Sequence, residues 1–539
     1  MNRIIFVLFI LIDFSLGAQT WYWAKSSKGG GEGWGICTDP AGNSVITGYF
    51  TFPSIAFSTY TLYTMSPTGG QGSFLVKYDA SGNVLWAKSP YGNSQSTLVK
   101  MDATGNVYMA GSLTSNLAFP TTTLTFSGAN SDYFLAKYDA NGNFVWAKSF
   151  GASWNPTIYG LTVDPLGNPV MCGIFYSPTV AIGSVTISSV GFKDFFIAKL
   201  DPSGNTLWAK SFGGSGDDYA KSVTTDANGN IYATGSFDSP FITMGTNTLV
   251  NTGYNDVFIN KLDANGNLMW ASKMGSLFTD LGNYISADAL GNTYVTGYYY
   301  SANFTAGTYT LPNAGAEDFF LAKYDTNGNI QWLNGGGGAG TDQGYCVKSL
   351  TNGVFLTGQQ GSTPMIIGTY TLIPPVFSEP MFVAQYDFNG NVICAATLSG
   401  GGDDKNEVDI NQGGDAYITG DFMATMVVGT TTLVMTPGGE NAFIAKFNCA
   451  SSTDIQKRSD HHGISIYPNP SNGSFNINYE GQNNNVELII LNSIGQKVFD
   501  KKINQGKNEL RTEGLPNGLY NLSILQDNTP LQSGKIIIE

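Results

Sequence analysis

The chain has 539 residues, a formal net charge of −14 and only two histidines. A hydrophobic content of 42% and an aromatic content of 13% are sufficient for packed cores, which argues against a disordered chain. The acidic balance argues against nucleic acid as a partner, because phosphates are neutralised by lysine and arginine. At roughly 100–200 residues per domain, the length allows two to four domains, or a repeat array with an accessory domain.

Residues 1–18 have the features of a secretory signal. Arg3 precedes an apolar run from Ile4 to Ile12, which is long enough for a signal core and too short to cross a bilayer. We expect cleavage before Gln19. No later part of the sequence has eighteen consecutive apolar residues, so we expect no membrane span.

A unit with an aromatic start, a D-x-x-G-N turn and, in most copies, a W-A-K-S-like ending recurs along the chain. The aspartates of its turn are separated by 60, 62, 62, 62 and 62 residues: Asp79, Asp139, Asp201, Asp263, Asp325 and Asp387. A second unit, most copies of which have the same turn, alternates with the first, at 39–50, 102–113, 164–175, 226–237, 288–299, 349–360 and 411–422. A third element, G-T-x-T-L or a relative, follows each of these copies. In such turns Asp caps the backbone and Gly supplies a positive φ, so both units predict β-hairpins.

Two hairpins per repeat predict four-stranded blades, and seven copies predict an all-β, seven-bladed propeller over residues 19–449. The last copy ends with a third strand at 443–448 and has no fourth. The segment 21–27, WYWAKSS, matches a fourth strand and has no partner before it. We therefore predict that the N-terminal strand completes the last blade and closes the ring, which removes exposed sheet edges.

This pattern resembles the bacterial β-propeller repeat family named SBBP. The matching residues are 208–223, 226–237 and 258–267, and the resemblance extends over roughly 20–449. It implies a seven-bladed propeller. It implies no chemistry, because propellers support unrelated functions.

The composition changes after Cys449. Residues 450–463 are polar and indicate a linker, and residues 464–539 form a small strand-rich unit. This unit resembles the type A C-terminal sorting domain of the type IX secretion system of Bacteroidetes, in the order and spacing of Tyr467, Pro468, Asn469, Pro470, Gly473, Phe475, Gly495, Gly518, Leu519, Tyr520 and Lys535. The resemblance implies a small β-sandwich, the type IX machinery as a partner, and an extracellular or outer-surface location.

Residues 19–449 contain no histidine, which excludes Ser-His-Asp and Cys-His nucleophiles and histidine-bound metals from this segment. The five cysteines are too few for a disulfide framework. Cys394 and Cys449 could pair if their strands are neighbours, but we expect buried free thiols.

Two residue types recur once per repeat. The tryptophans are expected to pack blade against blade rather than to form a carbohydrate platform: Trp23, Trp86, Trp146, Trp208, Trp270 and Trp332. The lysines are expected to be solvated or to pair with the turn aspartates: Lys77, Lys137, Lys199, Lys261, Lys323 and Lys446.

Four loops that lead from the fourth strand of one blade to the first strand of the next contain candidate acids, namely Asp218, Asp280, Asp342 and Asp403. First strands usually line the channel of a propeller, so these loops are expected at its mouth. The aspartates are weak candidates for a calcium site, and local turn chemistry is the interpretation that we favour. No other cofactor is expected.

These observations predict a secreted or cell-surface propeller without catalytic activity, which acts as a monomeric binding or adhesion module for an unknown glycan or protein. The alternative is a carbohydrate-active enzyme, a glycosidase or lyase, that uses aspartates at the channel mouth. Two carboxylates suffice for glycoside hydrolysis, so the absence of histidine does not exclude it. A structural component of an extracellular matrix is a third interpretation.

Overall fold

A computed structural model describes residues 19–51, 53–64, 70–128, 131–150, 157–176, 178–350, 353–374, 379–401, 407–436, 439–449, 464–467, 471, 473–479, 486–491, 497–512, 515–516, 518–526 and 529–538. The chain divides into two compact units, of which the first ends at Cys449 and the second begins at Ala450. All regular secondary structure in the described residues is β-strand.

The strands of the first unit follow each other in three groups. The first group is β1 (Gln19–Ser26), β2 (Glu32–Thr38), β3 (Ser44–Phe50), β4 (Ser54–Phe57), β5 (Tyr60–Tyr63), β6 (Gly72–Tyr78), β7 (Val84–Lys88), β8 (Ser94–Met101), β9 (Val107–Leu113), β10 (Leu117–Phe119), β11 (Thr122–Leu124), β12 (Asp132–Tyr138) and β13 (Phe144–Phe150). The second is β14 (Thr157–Val163), β15 (Pro169–Phe175), β16 (Thr179–Ile182), β17 (Val185–Ser188), β18 (Asp194–Leu200), β19 (Thr206–Phe212), β20 (Asp218–Thr225), β21 (Ile231–Phe237), β22 (Phe241–Met244), β23 (Asn247–Val250), β24 (Asp256–Leu262) and β25 (Leu268–Met274). The third is β26 (Asp280–Ala287), β27 (Thr293–Tyr299), β28 (Asn303–Ala306), β29 (Tyr309–Pro312), β30 (Asp318–Tyr324), β31 (Ile330–Gly337), β32 (Asp342–Leu350), β33 (Gly353–Gln360), β34 (Met365–Ile367), β35 (Tyr370–Leu372), β36 (Glu379–Tyr386), β37 (Val392–Gly401), β38 (Glu407–Ile410), β39 (Ala416–Phe422), β40 (Met426–Val428), β41 (Thr431–Leu433) and β42 (Asn441–Cys449).

These strands form the seven antiparallel blades that the repeats predict. The first six blades begin with β2, β8, β14, β20, β26 and β32, and within each the four blade strands follow in sequence order. A two-stranded hairpin, such as β22–β23, is inserted between the second and third strand of each blade and contains the G-T-x-T-L element. The first strands of neighbouring blades contact each other around the complete ring, so they surround a central channel.

The N-terminal strand closes the ring, as predicted. β1 is the fourth strand of the seventh blade, after β38, β39 and β42. It pairs antiparallel with β42, from Gln19 opposite Cys449 to Ser26 opposite Phe443. The last blade is therefore built from both ends of the propeller segment, which leaves its third strand with partners on both sides.

The D-x-x-G-N turns have the geometry that their residues predict. In the turn of the first blade, Asp79 Oδ1 accepts hydrogen bonds from the backbone N–H groups of Ser81 and Asn83, at 2.9 and 2.8 Å. The Asn83 side chain donates to Asp79 Oδ2, and this hydrogen bonding lowers the pKa of the Asp79 carboxyl. Gly82 has φ 80°, and a Cβ there would lie 2.9 Å from the Trp23 ring, so glycine is required for conformation and for space.

Tryptophan joins one blade to the next, as expected from its position in the repeat. In each case the indole N–H donates to the carbonyl that follows the turn aspartate of the next blade, at 3.0–3.4 Å: Trp23 to Ala80, Trp86 to Ala140, Trp146 to Pro202, Trp208 to Ala264, Trp270 to Thr326 and Trp332 to Phe388. A buried indole keeps a hydrogen-bond partner in this arrangement.

The lysines of the third strands are not solvated flanks. Five of them donate to the same carbonyls as the tryptophans, at 2.9–3.3 Å: Lys77 to Ala140, Lys137 to Pro202, Lys199 to Ala264, Lys261 to Thr326 and Lys323 to Phe388. The expectation of solvation is wrong for these residues, because the interface between blades encloses them. Only a part of the expected pairing with turn aspartates occurs, for example Lys199 with Asp164 at 2.8 Å.

The expectation that Cys394 and Cys449 are free thiols is also wrong. The two residues form a disulfide bond, with Cα atoms 6.1 Å apart, because the fourth strand of the sixth blade lies beside the third strand of the seventh. Cys37, Cys172 and Cys346 are buried free thiols.

The second unit contains two sheets. The first has three strands in the order β43 (Ile464–Tyr467), β44 (Ser474–Tyr479) and β47 (Gly506–Arg511). The second has four, in the order β46 (Lys497–Ile503), β45 (Val486–Leu491), β48 (Gly518–Gln526) and β49 (Thr529–Ile538). Residues of both sheets contribute to one hydrophobic cluster. The β-sandwich remains a prediction.

Several residues of the sorting motif have structural roles within this unit. Phe475 and Tyr520 belong to its hydrophobic cluster, and Gly473 has φ 88° and accepts a backbone hydrogen bond from Thr512 at 2.8 Å. Gly518, Leu519 and Lys535 lie in strands, and Tyr467 ends β43. The remaining residues lie outside the described part of the chain: Pro468, Asn469, Pro470 and Gly495.

Candidate functional site

The first strands have a β-bulge at one equivalent position, and the extra residue faces the channel. In the first six blades the register with the second strand shifts by one residue there. The six bulged residues all line one cavity: Trp34, Thr97, Tyr159, Lys221, Asn283 and Tyr345. A bulge leaves one residue out of the ladder and redirects its side chain. The ring thus presents six chemically different groups at one level of the channel.

This cavity has a volume of about 490 Å³ and receives residues from all seven blades. It lies on the face of the loops between blades, since its lining comes from the beginning of the first strands and the end of second strands. Six aromatic rings contribute to the lining: Trp34, Tyr133, Tyr159, Tyr284, Tyr298 and Tyr345. Amides and hydroxyls supply most of the polar lining: Gln95, Thr97, Ser112, Thr157, Asn283 and Gln343.

The floor of the cavity is a buried ionic network around Glu407. Its Oε1 accepts hydrogen bonds from Lys100 Nζ at 2.7 Å and from the Tyr284 hydroxyl, and its Oε2 accepts the Ile36 N–H at 2.8 Å. Lys100 belongs to the second blade, Tyr284 to the fifth and Glu407 to the seventh, so the network crosses the channel. Burial and the Glu407 carboxylate raise the pKa of Tyr284 well above its usual value, which keeps its hydroxyl as a donor.

A second ion pair involves Asp409, which follows Glu407 by two residues in β38. Asp409 Oδ1 is 3.5 Å from Lys348 Nζ, and its Oδ2 accepts the Thr38 N–H at 2.7 Å. Burial opposes the charge on Lys348, but Asp409 and Glu407 raise its pKa overall, so the lysine is a cation. The nearby thiol of Cys37 has its pKa raised by burial and stays protonated. Two lysines and two carboxylates therefore balance each other beneath the cavity.

The three candidate aspartates that lie in the described residues are not brought together. Asp218, Asp280 and Asp342 are each fully buried at the junction of a different pair of blades. Asp218 Oδ2 accepts from Gly214 N–H and Ser239 Oγ, each at 2.7 Å, and the other two have equivalent partners. Asp403 lies outside the described residues. In the described part of the chain no group of three or more His, Cys, Asp or Glu residues has the arrangement of a metal site.

Each of these aspartates faces a second buried carboxyl from the third strand of the preceding blade. The pairs are Asp194 with Asp218, Asp256 with Asp280 and Asp318 with Asp342, and one oxygen of Asp194, Asp256 and Asp318 is buried without a hydrogen-bond partner among the described residues. Burial, together with the facing carboxylate, raises the pKa of Asp218, Asp280 and Asp318 to about 6.

These pairs predict that the propeller becomes less stable as the pH rises from about 4 to about 7. A carboxyl with a raised pKa stabilises the fold fully below its unfolded value of 3.8, and this contribution is lost as the pH passes through about 6. The expected loss is on the order of 1–3 kcal/mol per group. Urea unfolding at pH 4.5, 6.0 and 7.5 measures it, and Asp280→Asn, which cannot titrate, should reduce the slope. A flat profile over this range would contradict the assignment.

The sequence did not identify the residues of the cavity. The repeat pattern makes every first strand look equivalent, and only the packing shows that one position per strand faces the channel. A usable signal exists, however: at this position the repeats differ in residue type, whereas the turns on the opposite face are nearly identical. Positions whose residue type differs from repeat to repeat, while the rest of the repeat stays the same, are not needed to build the ring.

Family models match one segment in each of the two units of the chain. Residues 465–539 match the secretion system C-terminal sorting domain, and residues 207–242 match the β-propeller repeat named SBBP. An uncharacterised WD repeat-containing protein of Acanthamoeba polyphaga mimivirus is 24% identical over 469 residues, which are 68% of this chain and 33% of that protein. The chain thus spans about a third of the length of this curated relative.

The similar solved structures have low TM-scores and little sequence identity. PorZ, a surface component of the type IX secretion system of Porphyromonas gingivalis, is 10% identical with a TM-score of 0.27, over 93% of this chain and 73% of that one. A family 32 glycoside hydrolase of Bifidobacterium adolescentis is 9% identical with a TM-score of 0.24, over 96% of this chain and 93% of that one. A mutant apocarotenoid oxygenase of Synechocystis is 10% identical with a TM-score of 0.32, over 79% and 93%. These low scores support no functional argument.

The fold and the two matches define the class of this protein. Its first unit is a seven-bladed β-propeller in which one segment matches the SBBP repeat, and residues 465–539 match the sorting domain of the type IX secretion system. The sorting domain directs it to the extracellular space or the outer cell surface of a bacterium of the Bacteroidetes. In the residues that the structure describes, no helix has the length and apolar character needed to span a membrane.

Proposed function

We propose that the protein is a secreted or surface-exposed binding module that holds a neutral saccharide in the cavity at the channel mouth. The observation that supports this proposal is the lining of the cavity, six aromatic rings together with amides and hydroxyls. Sugar rings offer C–H faces that stack on aromatic rings, and hydroxyls that exchange hydrogen bonds with amides. A largely pre-formed concave site with a few placed polar groups is the usual form of a small-molecule site.

The charges of the cavity favour a ligand without net charge. Glu407 is engaged by Lys100, Tyr284 and the backbone of Ile36, so its charge is compensated inside the protein. Lys221 Nζ lies 4.0 Å from the centre of the Tyr159 ring, in a cation–π contact that reduces the attraction of its charge for an anion. An anionic ligand would compete with this ring for Lys221, and a cationic ligand would be repelled by it.

We propose that the cavity binds and does not catalyse. Glycoside hydrolysis needs a general acid and a second carboxylate, either about 5 Å or 6.5–9.5 Å away. Glu407 is the sole carboxylate among the described residues that line the cavity, and its two oxygens accept three hydrogen bonds. Asp218, Asp280 and Asp342 are buried at separate blade junctions. The secretion machinery is the partner of the sorting domain, and we propose that the propeller itself, whose ring closes within one chain, acts as a monomer.

The proposal is tested by substituting two of the stacking rings. Tyr159→Ala and Tyr345→Ala should each weaken the binding of oligosaccharides at least about tenfold, since aromatic anchors dominate such sites. Tyr63→Ala is the matched control, because Tyr63 is 69% exposed on the β4–β5 hairpin and lies outside the cavity. Calorimetric titration of the full chain against a panel of neutral, acidic and amino oligosaccharides gives the affinities.

The outcomes of this titration distinguish the binding proposal from the enzyme alternative. A ligand at 100 times its Kd should stabilise the fold by about 2.7 kcal/mol, which a thermal scan detects independently. Neutral binding that both cavity variants lose supports the proposal. Binding that persists in both variants, or preference for charged sugars, contradicts it. New reducing ends in the mixture would instead establish the enzyme alternative.

A further inference from the structure

One of the seven junctions between blades is built differently from the others. At the ordinary junctions, a tryptophan of one blade donates to a carbonyl in the third-to-fourth-strand turn of the next blade. At five of them a lysine from the paired position of the third strand donates to the same carbonyl. For example, Lys323 and Trp332 are opposite each other in register, and both reach the carbonyl of Phe388.

At the junction of the sixth and seventh blades all three positions change together. Gln385 and Cys394 occupy the lysine and tryptophan positions, opposite each other in the same register. Cys449 occupies the position of the accepting carbonyl, because it follows Asn448 as Ala80 follows Asp79. Cys394 and Cys449 are bonded, and Gln385 Oε1 is buried without a hydrogen-bond partner among the described residues. The covalent bond thus lies where five of the other junctions have two hydrogen bonds.

The reason lies in the path of the chain. At every other junction the accepting carbonyl belongs to a turn between the third and fourth strands, and the turn holds it in place. The seventh blade has no such turn, because its fourth strand is β1 from the other end of the propeller. Cys449 is the last residue of the first unit, and the polar segment 450–463 follows it. The Cys449 carbonyl therefore lacks the third-to-fourth-strand turn that holds the acceptor at the other junctions.

We propose that the Cys394–Cys449 disulfide is the latch of the ring: it fixes the end of β42, and through it β1, where the turn-based contact is missing. In the sheet, β1 has β42 as its one strand partner, so release of the end of β42 weakens the seam between the two ends of the propeller.

The latch forms by thiol–disulfide exchange with a disulfide-bearing oxidoreductase. The oxidant's sulfur–sulfur bond breaks as the one between Cys394 and Cys449 forms, and its two sulfurs take up the two electrons and two protons of the thiols. Such oxidants act in the compartments that an exported protein passes through. The other three cysteines are buried and separate, so the exported chain should contain three thiols and one disulfide.

Hydrogen exchange of the full chain tests the latch. In Cys394→Ser/Cys449→Ser, the amides of Trp21–Ser26 and Phe443–Phe447 should exchange at least about tenfold faster than in the natural chain. The amides of β20 and β21, on the far side of the ring, should be unchanged. Trp332→Ala is the matched control, since it removes the equivalent contact one junction away. It should speed exchange at the junction of the fifth and sixth blades and leave the seam protected.

Two further measurements cover the case in which the double variant does not fold. The natural chain treated with a reductant in mild urea should show the same local release of β1 and β42. Thiol alkylation and mass measurement should find three reactive thiols in the denatured exported protein, and five after reduction. Five thiols without reduction, or exchange that rises uniformly or not at all when the bond is absent, would overturn the proposal.

Discussion

A chain that begins at Lys28 instead of Gln19 is expected to lose at least about 4 kcal/mol of stability and to associate. The truncation removes β1, and with it Trp21, Trp23 and the buried Ala24, which pack against the last blade and its neighbour. Burying a large apolar side chain contributes about 1.5–3 kcal/mol, so the loss of two half-buried tryptophans sets the lower limit. Urea unfolding monitored by fluorescence measures the loss.

The association expected of the truncated chain has a separate cause. Without β1, the backbone of β42 becomes an unpaired sheet edge, which is a template for a strand from another chain. A synthetic peptide with the sequence 19–27 should occupy this edge, restore the stability in part and suppress light scattering. Tyr22→Ala is the control within the strand, because Tyr22 is 53% exposed and its loss should change stability little. An unchanged unfolding midpoint after truncation would show that the ring does not depend on its closing strand.

Glu407→Gln is expected to destabilise the propeller by about 3–5 kcal/mol. The substitution leaves Lys100 as a buried cation without its counter-charge, and removing one partner of a buried ion pair has a cost of this size. The exchanged amide also fits the Ile36 N–H and the Tyr284 hydroxyl less well than a carboxylate does. The free energy of unfolding at pH 7, from urea titration, gives the value.

An exposed ion pair of the second unit provides a reference for the size of this loss of stability. Lys497 and Asp500 are 3.4 Å apart and about half exposed, so Asp500→Asn should cost less than about 1 kcal/mol. Replacing the buried pair as a whole, with Lys100→Met and Glu407→Leu, should recover part of the loss, because no unpaired lysine then remains in the channel. A loss below about 1 kcal/mol for Glu407→Gln would mean that water reaches the cavity floor and solvates Lys100.

The fold was predictable because short motifs that recur along the sequence determine the hairpins of the propeller. The D-x-x-G-N turn determines hairpins within five residues, and Asp79 with Gly82 shows why: one caps the turn, and the other supplies its positive φ. Repetition then determines the number of blades. Even ring closure followed from the sequence, since 21–27 reads as a fourth strand without its three partners.

The contacts between blades were less predictable. The tryptophans were assigned correctly, because one large aromatic residue per blade has few other places to pack. The lysines were assigned wrongly, since nothing in the sequence shows that their ammonium groups reach the carbonyl of the next blade. Cys394 and Cys449 are 55 residues apart, and their bond depends on how the sixth blade meets the seventh.

What the sequence by itself determined is therefore the ring, its seam and its sorting domain, because each is visible as a local motif: the repeated turns, the unmatched fourth-strand segment 21–27 and the pattern of residues 464–539. What the tertiary structure alone decided is the site. Trp34, Tyr159, Lys221 and Tyr345 come from four blades and meet because a bulge turns each of them into the channel. Lys100, Tyr284 and Glu407 span more than 300 residues and meet because the ring is closed. The compensation of Glu407 by Lys100 and Tyr284 exists only once seven first strands have been brought around one axis.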